Sequence, residues 1–157
     1  MAIASLRPGR IGVDLVRVSR VSMRAFTAIA TTSEAAILAP LGSLAPAAAW
    51  AIKEASIKAF GTGGNLGMTR IRITLRDGRL LAGPVDPGLV DAAQYTLPVR
   101  MWISGDWLIA GMAPDRIGSR FPCVTSVEEF RYPSNGLRAH MLRQAPTAGT
   151  HKGCGSP

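Results

Sequence analysis

Residues 50–63, W-A-I-K-E-A-S-I-K-A-F-G-T-G, gather the side chains of greatest chemical use in this chain. Lys53, Glu54 and Lys58 fall on one predicted helix that runs into a glycine turn. Glu54 and Lys58 are four residues apart and share a helical face. A carboxylate beside an ammonium, next to turn amides, suits a metal ion bridging to phosphate oxygens. The same pair also reads as a surface salt bridge at the end of an amphipathic helix. Asp14 is a second carboxylate of interest, set in the apolar run I-G-V-D-L-V. A charge there must be paired, bound to a cation, or spent as a helix N-cap. With Glu54 it offers two acidic groups, which with phosphate oxygens and water would complete an octahedral magnesium site.

Other motifs are less specific. Gly61-Thr62-Gly63-Gly64 reads either as a phosphate-holding loop or as a connector. It lacks the Gly-Lys-Ser/Thr of a P-loop and leads into a strand, which excludes the dinucleotide fingerprint. Arg17, Arg20 and Arg24 recur at i, i+3 and i+7 on the predicted first helix, as a solvated face or as a docking surface for an acidic partner. Phe26 is the only aromatic near them, which argues against a single-stranded nucleic-acid reader. Trp50, Trp102 and Trp107 are expected in the core or at its edge. His140 and His151 have no paired ligand, and Ser104 has no His and Asp in a nucleophile motif, so neither supports metal or serine-hydrolase chemistry.

These residues need elements to hold them. Residues 11–16 form a predicted strand leading into a helix over 17–29, where Val18, Val21, Ala25 and Ile29 recur near helical spacing. Thr32 or Ser33 caps a second helix through Leu38, with Glu34 in its first turn. Residues 40–46 are a linker, and Pro46 opens a third helix over 47–60. Its Ala47, Ala51, Ala55 and Ala59 form an i, i+4 ridge of small residues that allows close packing. Residues 68–75 alternate as a strand with Ile71, Ile73 and Leu75 on one face, and Asp77-Gly78 turns it into a hairpin through Leu80 and Leu81. Residues 91–97 read as a helical turn or a strand edge. Residues 99–103 and 107–113 form a second antiparallel pair around Gly105-Asp106. Helices and hairpins in separate blocks predict an α+β domain with an antiparallel sheet packed against helices.

A chain of 157 residues, 47% hydrophobic and 18% charged, is one domain's worth of globular sequence. Residues 1–10 read as a flexible leader, 11–132 as the domain, and 133–157, polar and rich in Gly, Pro, Ser and Thr, as a mobile tail. Eighteen Lys and Arg against ten Asp and Glu give a net charge of +8, which favours anionic partners. No apolar run reaches the roughly 18 residues of a membrane span, and no secretory signal is evident. Cys123 and Cys154 lack metal-type spacing, which favours a reducing cytoplasm over a disulfide framework.

Taken together, Asp14 and the segment from Trp50 resemble the 4'-phosphopantetheinyl transferases, and most of all their small, single-module holo-acyl-carrier-protein synthase branch. The family's first motif, Gly-hydrophobic-Asp with an Arg six residues on, is similar to Gly12-Val13-Asp14 with Arg20. Its second, W-x-x-K-E-A-x-x-K, stands complete between Trp50 and Lys58, and the following A-F-G-T-G also matches. Phe26-Thr27 and Thr32-Ser33-Glu34 loosely resemble the intervening pattern. The likeness covers residues 11–113. Val16, where the larger two-lobed members carry a second acid, and the early position of the Asp motif point to the small branch.

The resemblance implies Mg²⁺ held by Asp14 and Glu54, with coenzyme A as co-substrate. Glu54 and Lys58 would be catalytic. Lys53, Lys58, Gly61, Thr62 and Gly63 would bind the cofactor, and Arg17, Arg20 and Arg24 would face an acidic acyl or peptidyl carrier protein. It further implies a homotrimer; with the cysteine usage and the lack of a membrane span the expectation is a cytoplasmic protein without a membrane partner, and a basic nucleic-acid binder is the third and least favoured reading. Two departures stand out. The family's late Ser-x-Ser/Thr-His signature meets Trp102-Ile103-Ser104-Gly105-Asp106, with Gly105 in place of the histidine, and Ala49 replaces a basic residue before Trp50. The alternative is therefore a weakened or inactive homologue that binds a carrier protein or coenzyme A.

Overall fold

The computed structural model describes residues 11–60, 67–86, 96–114 and 128–130. The expected leader and tail, the glycine loop 61–64, most of segment 91–97, both cysteines and both histidines lie outside the described residues.

Five strands form an antiparallel sheet in the order β1-β5-β4-β3-β2, and β6 pairs with β4 off that path. These are β1 (Gly12–Arg17), β2 (Ile71–Arg76), β3 (Arg79–Pro84), β4 (Leu97–Ser104), β5 (Trp107–Met112) and β6 (Glu128–Phe130). Three helices join them: α1 (Met23–Ile29), α2 (Thr32–Leu38) and α3 (Ala45–Phe60). The α+β class expected from sequence holds. Both expected hairpins form. Asp77 and Gly78 both take positive φ, at 50° and 71°, the signature of a type I′ turn whose twist matches the strands. Gly105 takes φ 58° at the β4–β5 turn.

Helix α3 is the centre of the domain. Ala47, Ala51 and Ala55 are fully buried and Ala59 nearly so, so the small-residue ridge lies against the sheet as its spacing requires. Gly12 completes the approach from the other side: a Cβ there would stand 1.8 Å from the Ala55 carbonyl oxygen and 2.8 Å from the Ala59 nitrogen. Ile52, Ile71, Ile73, Leu97, Leu108 and Met112 close the core. Among the described residues β1, the strand carrying Asp14, is an edge strand of the sheet.

Several expectations are corrected. The helix expected over 17–29 breaks in two. Arg17 stays in β1 opposite Trp107, and Val18–Arg20 is a 3-10 turn. Ser22 then takes extended backbone and accepts a hydrogen bond from the Ala25 amide, an N-cap that starts α1 afresh. Arg17, Arg20 and Arg24 therefore lie on three elements, not on one stripe. Helix α2 is capped by Thr31, one residue before the expected cap, and α3 starts at Ala45, with Pro46 in its first turn. Met68–Arg70 is a 3-10 turn and not strand. Trp107, expected in the core or at its edge, is 45% exposed. The helical run Thr32–Phe60 is by length and composition apolar enough to cross a bilayer, contrary to expectation. Its apolarity is that of the core, since the buried alanines of α3 face the sheet, and Gly42 at φ 58°, ψ −126° kinks the run.

Candidate active site

Period-two geometry puts Gly12, Asp14 and Val16 on the face of β1 that meets α3. The close seat of Gly12 on Ala55 and Ala59 brings Asp14 beside the last turn of that helix. There Lys58 Nζ donates to Asp14 Oδ1 at 2.6 Å and to the Val13 carbonyl at 3.2 Å. The Lys58 side chain is half exposed while that of Asp14 is 13% exposed, so the pair opens to solvent from the lysine's side. Glu54 lies one turn earlier and is partly buried, and it makes no hydrogen bond or ion pair among the described residues. A partly buried carboxylate without a partner is costly, and a cation relieves that cost. Oδ2 of Asp14 likewise accepts no hydrogen bond among the described residues. Carboxylate oxygens are the hard donors that Mg²⁺ prefers, so the residue types fit that ion. No cluster of three or more His, Cys, Asp or Glu occurs among the described residues.

Lys53 departs from expectation. It is 1% exposed, and its ammonium donates to both oxygens of Glu34 at 3.0 and 3.1 Å, to the Ile71 carbonyl at 2.7 Å and to the Met68 carbonyl at 3.3 Å. Its hydrogen-bonding capacity is spent inside the domain, away from Lys58. Glu34 is equally buried. It accepts from the Thr31 amide at 2.8 Å, closing a capping box on α2, and from the Ile73 amide at 2.8 Å. One carboxylate thus joins α2, α3 and β2. Burial alone would raise the Glu34 pKa, but the Thr31 and Ile73 amides and Lys53 outweigh it and hold the group below its ordinary value. Burial pulls the Lys53 pKa down against the opposing pull of Glu34. Sequence reasoning missed this pair, although the Thr31-x-x-Glu34 spacing marks a capping box once the cap is moved back one residue.

Arg17 is also engaged. Its Nε donates to Asp106 Oδ2 at 2.7 Å across the β1–β5 border. The Ser19 hydroxyl donates to the same oxygen at 2.7 Å, and the Ser19 amide to Oδ1 at 3.2 Å. The Ser19 hydroxyl, then Arg17, lower the Asp106 pKa. Arg20 and Arg24 are exposed, with Met23, 61% exposed, between them. Gly61, Thr62 and Gly63 lie outside the described residues.

Fold and site together define an α+β protein in which an edge-strand aspartate meets a lysine in the last turn of the central helix, with a glutamate one turn earlier on that helix. A family model described as the 4'-phosphopantetheinyl transferase superfamily matches residues 10–95, more than half of the chain. The chain belongs to that superfamily. Among solved structures it is similar to the holo-[acyl-carrier-protein] synthase of Thermotoga maritima, at 21% identity and a TM-score of 0.51. That match covers 65% of this chain and 60% of the other, and it supports the shared fold. The chain thus spans about 60% of the solved relative's length. No curated protein matches.

Proposed function

We propose that the protein transfers the 4'-phosphopantetheine group of coenzyme A to a serine hydroxyl of an acyl or peptidyl carrier protein and releases 3',5'-ADP. The observation that carries this reading is the Asp14–Lys58 contact, with Glu54 one helical turn away. Asp14 and Glu54 would hold Mg²⁺ against the pyrophosphate, and when bound that ion supplies charge neutralisation at the reacting phosphate and leaving group. Lys58, a point charge on a flexible stem, would turn from Asp14 to a phosphate oxygen and stabilise charge there as the bond to the leaving group lengthens. Glu54 would accept the serine proton. The serine oxygen bonds to the β-phosphorus, the bond from that phosphorus to the ADP oxygen breaks, and its electron pair leaves with 3',5'-ADP.

Amides of Gly61, Thr62 and Gly63 would bind the nucleotide phosphates, a role that rests on the sequence motif. Lys53 is assigned the core in place of the cofactor. Arg20 and Arg24 would meet acids of the carrier while exposed Met23 between them supplies apolar contact. A homotrimer follows from the resemblance alone.

The second reading, a carrier or coenzyme A binding module without catalysis, draws on Gly105 at the position of the family histidine. Intact mass of an apo carrier protein, after incubation with this protein, coenzyme A and Mg²⁺, separates the two. A gain of one phosphopantetheine group that vanishes with Glu54→Ala establishes transfer. No gain across several carrier types at high protein concentration, together with carrier binding that needs neither Mg²⁺ nor coenzyme A, supports the binding module.

A further inference from the structure

Asp106 makes more bonds than a hairpin-turn residue needs. Its carboxylate accepts from Arg17 Nε, the Ser19 hydroxyl and the Ser19 amide, and its carbonyl accepts from the Val18 amide at 2.8 Å. All four donors belong to the end of β1 and the 3-10 turn behind it. Val18 and Val21 anchor that turn on the core, which leaves Ser19 and Arg20 facing outward. Asp106 therefore clamps the short span between two functional parts: Asp14, three residues before Arg17, and the exposed Arg20-Met23-Arg24 surface.

We infer that Asp106 is a positioning residue, which holds the Val18–Arg20 turn so that Arg20 and Arg24 receive an acidic carrier protein at a fixed distance from Asp14. The inference rests on the transferase reading above. It assigns Arg17 to the clamp and removes it from the docking set. Its physical basis is pre-organisation: a turn already fixed in its bound conformation loses less freedom when the partner arrives. The carrier's acidic surface must rest on the arginines before its serine can reach a phosphate near Asp14, so a loosened turn has to be ordered again each time the carrier docks. An exposed ion pair of this kind contributes little to folding. Opening it therefore disturbs docking without unfolding the domain.

The test compares Asp106→Ala, Arg17→Ala and the double variant in full-length protein, with an apo carrier protein and coenzyme A varied separately. Each single substitution is expected to raise KM for the carrier about five- to tenfold, the scale of ordering a few side chains. Asp106→Ala should leave kcat and KM for coenzyme A unchanged, and the double variant should be no worse than either single one. If Arg17 instead touches the carrier directly, Asp106→Ala frees it and lowers the carrier KM, and the inference is overturned. Additive effects, an equal rise in KM for coenzyme A, or no change overturn it as well. A wild-type protein without transfer activity defeats the transferase reading separately. The same variants are then compared by calorimetric titration with the apo carrier. Weaker binding supports the clamp, whereas unchanged binding, or no binding by the wild type, overturns it.

Discussion

Gly12 of β1 lies directly on the backbone of α3, so near that a Cβ at this position would sit 1.8 Å from the Ala55 carbonyl oxygen. The first residue of the Gly-Val-Asp motif thus sets the strand–helix distance, and the third, on the same face, reaches Lys58 because of it. Gly12→Ala must push β1 off α3, since the obstacle is main chain and cannot rotate away. The expected outcome is a loss of about 1–3 kcal/mol in urea unfolding. Transfer activity should fall further than stability, by about 10²-fold, because Asp14 moves with the strand. A Gly12→Ala protein with wild-type activity would show that Asp14 does not need this seat.

Lys53 and Glu34 form a buried ion pair with shared backbone partners. Lys53→Met keeps most of the side-chain volume but strands a carboxylate among α2, α3 and β2, at a cost of about 3–5 kcal/mol. Glu34→Gln added to Lys53→Met removes the stranded charge, so the double variant should be destabilised by less than the sum of the two single ones. Urea unfolding of the four proteins measures the coupling. A loss below about 1 kcal/mol for Lys53→Met would fit a solvent-facing lysine and reopen its assignment as a cofactor ligand.

The same pair gives a pH dependence. The Glu34 carboxyl lies below its ordinary value of 4.5 in the folded protein, so the unfolded chain takes up the proton first as pH falls. Its contribution is fully present above about pH 4.5 and is lost as pH drops through the folded value. Lys53, lowered from 10.5, acts at the alkaline end, where the unfolded chain holds the proton longer and stability rises with pH towards that value. Thermal unfolding between pH 3 and 7 should show a steeper acid loss in the wild type than in Glu34→Gln. Parallel curves would mean that Glu34 titrates alike in both states.

The parts of the fold carried by periodicity and turn chemistry were legible in the sequence. The alanine ridge of α3, the Asp77-Gly78 turn and the antiparallel pair around Gly105-Asp106 all stand where local pattern puts them. Asp14 and Lys58 were legible as chemistry, but their contact depends on Gly12, whose meaning as a close-approach residue emerges only when β1 is laid on α3. The region around Arg17 misled because valines spaced near 3.6 can also anchor a strand end and a turn on the core, and Ser22 as an N-cap was the local sign of the break. Lys53 and Glu34 are nineteen residues apart on different helices, and nothing in helical spacing foretells which lysine of α3 turns inward.

Lys58→Ala separates catalysis from folding at the site itself. The lysine side chain is half exposed, but its removal leaves Asp14, 13% exposed, without its partner, so stability should fall by about 1–2 kcal/mol. The lost ammonium would no longer meet charge developing on the phosphate, and kcat should fall by about 10²- to 10³-fold. Lys58→Arg keeps the charge but alters its reach and geometry, so it should recover only part of the rate. Single-turnover transfer measured with saturating coenzyme A reads this effect directly. Equal kcat in Lys58→Ala and the wild type would remove Lys58 from the chemistry and leave it as the partner of Asp14.

Gly105 decides whether the missing family histidine can simply be restored. It holds φ 58° in a two-residue hairpin turn, a conformation that side-chain-bearing residues adopt with strain, although the space around it is open. Gly105→His therefore strains the turn without a steric clash, and the strain falls next to Asp106, whose bonds to Arg17 and Ser19 need that turn as it is. Restoring the histidine should lower transfer activity and loosen the β4–β5 hairpin, seen as faster hydrogen exchange at the Val18 and Ser19 amides. A rise in kcat with those amides still protected would instead show that the turn tolerates the side chain, and that this chain lacks a proton acceptor that the histidine can supply.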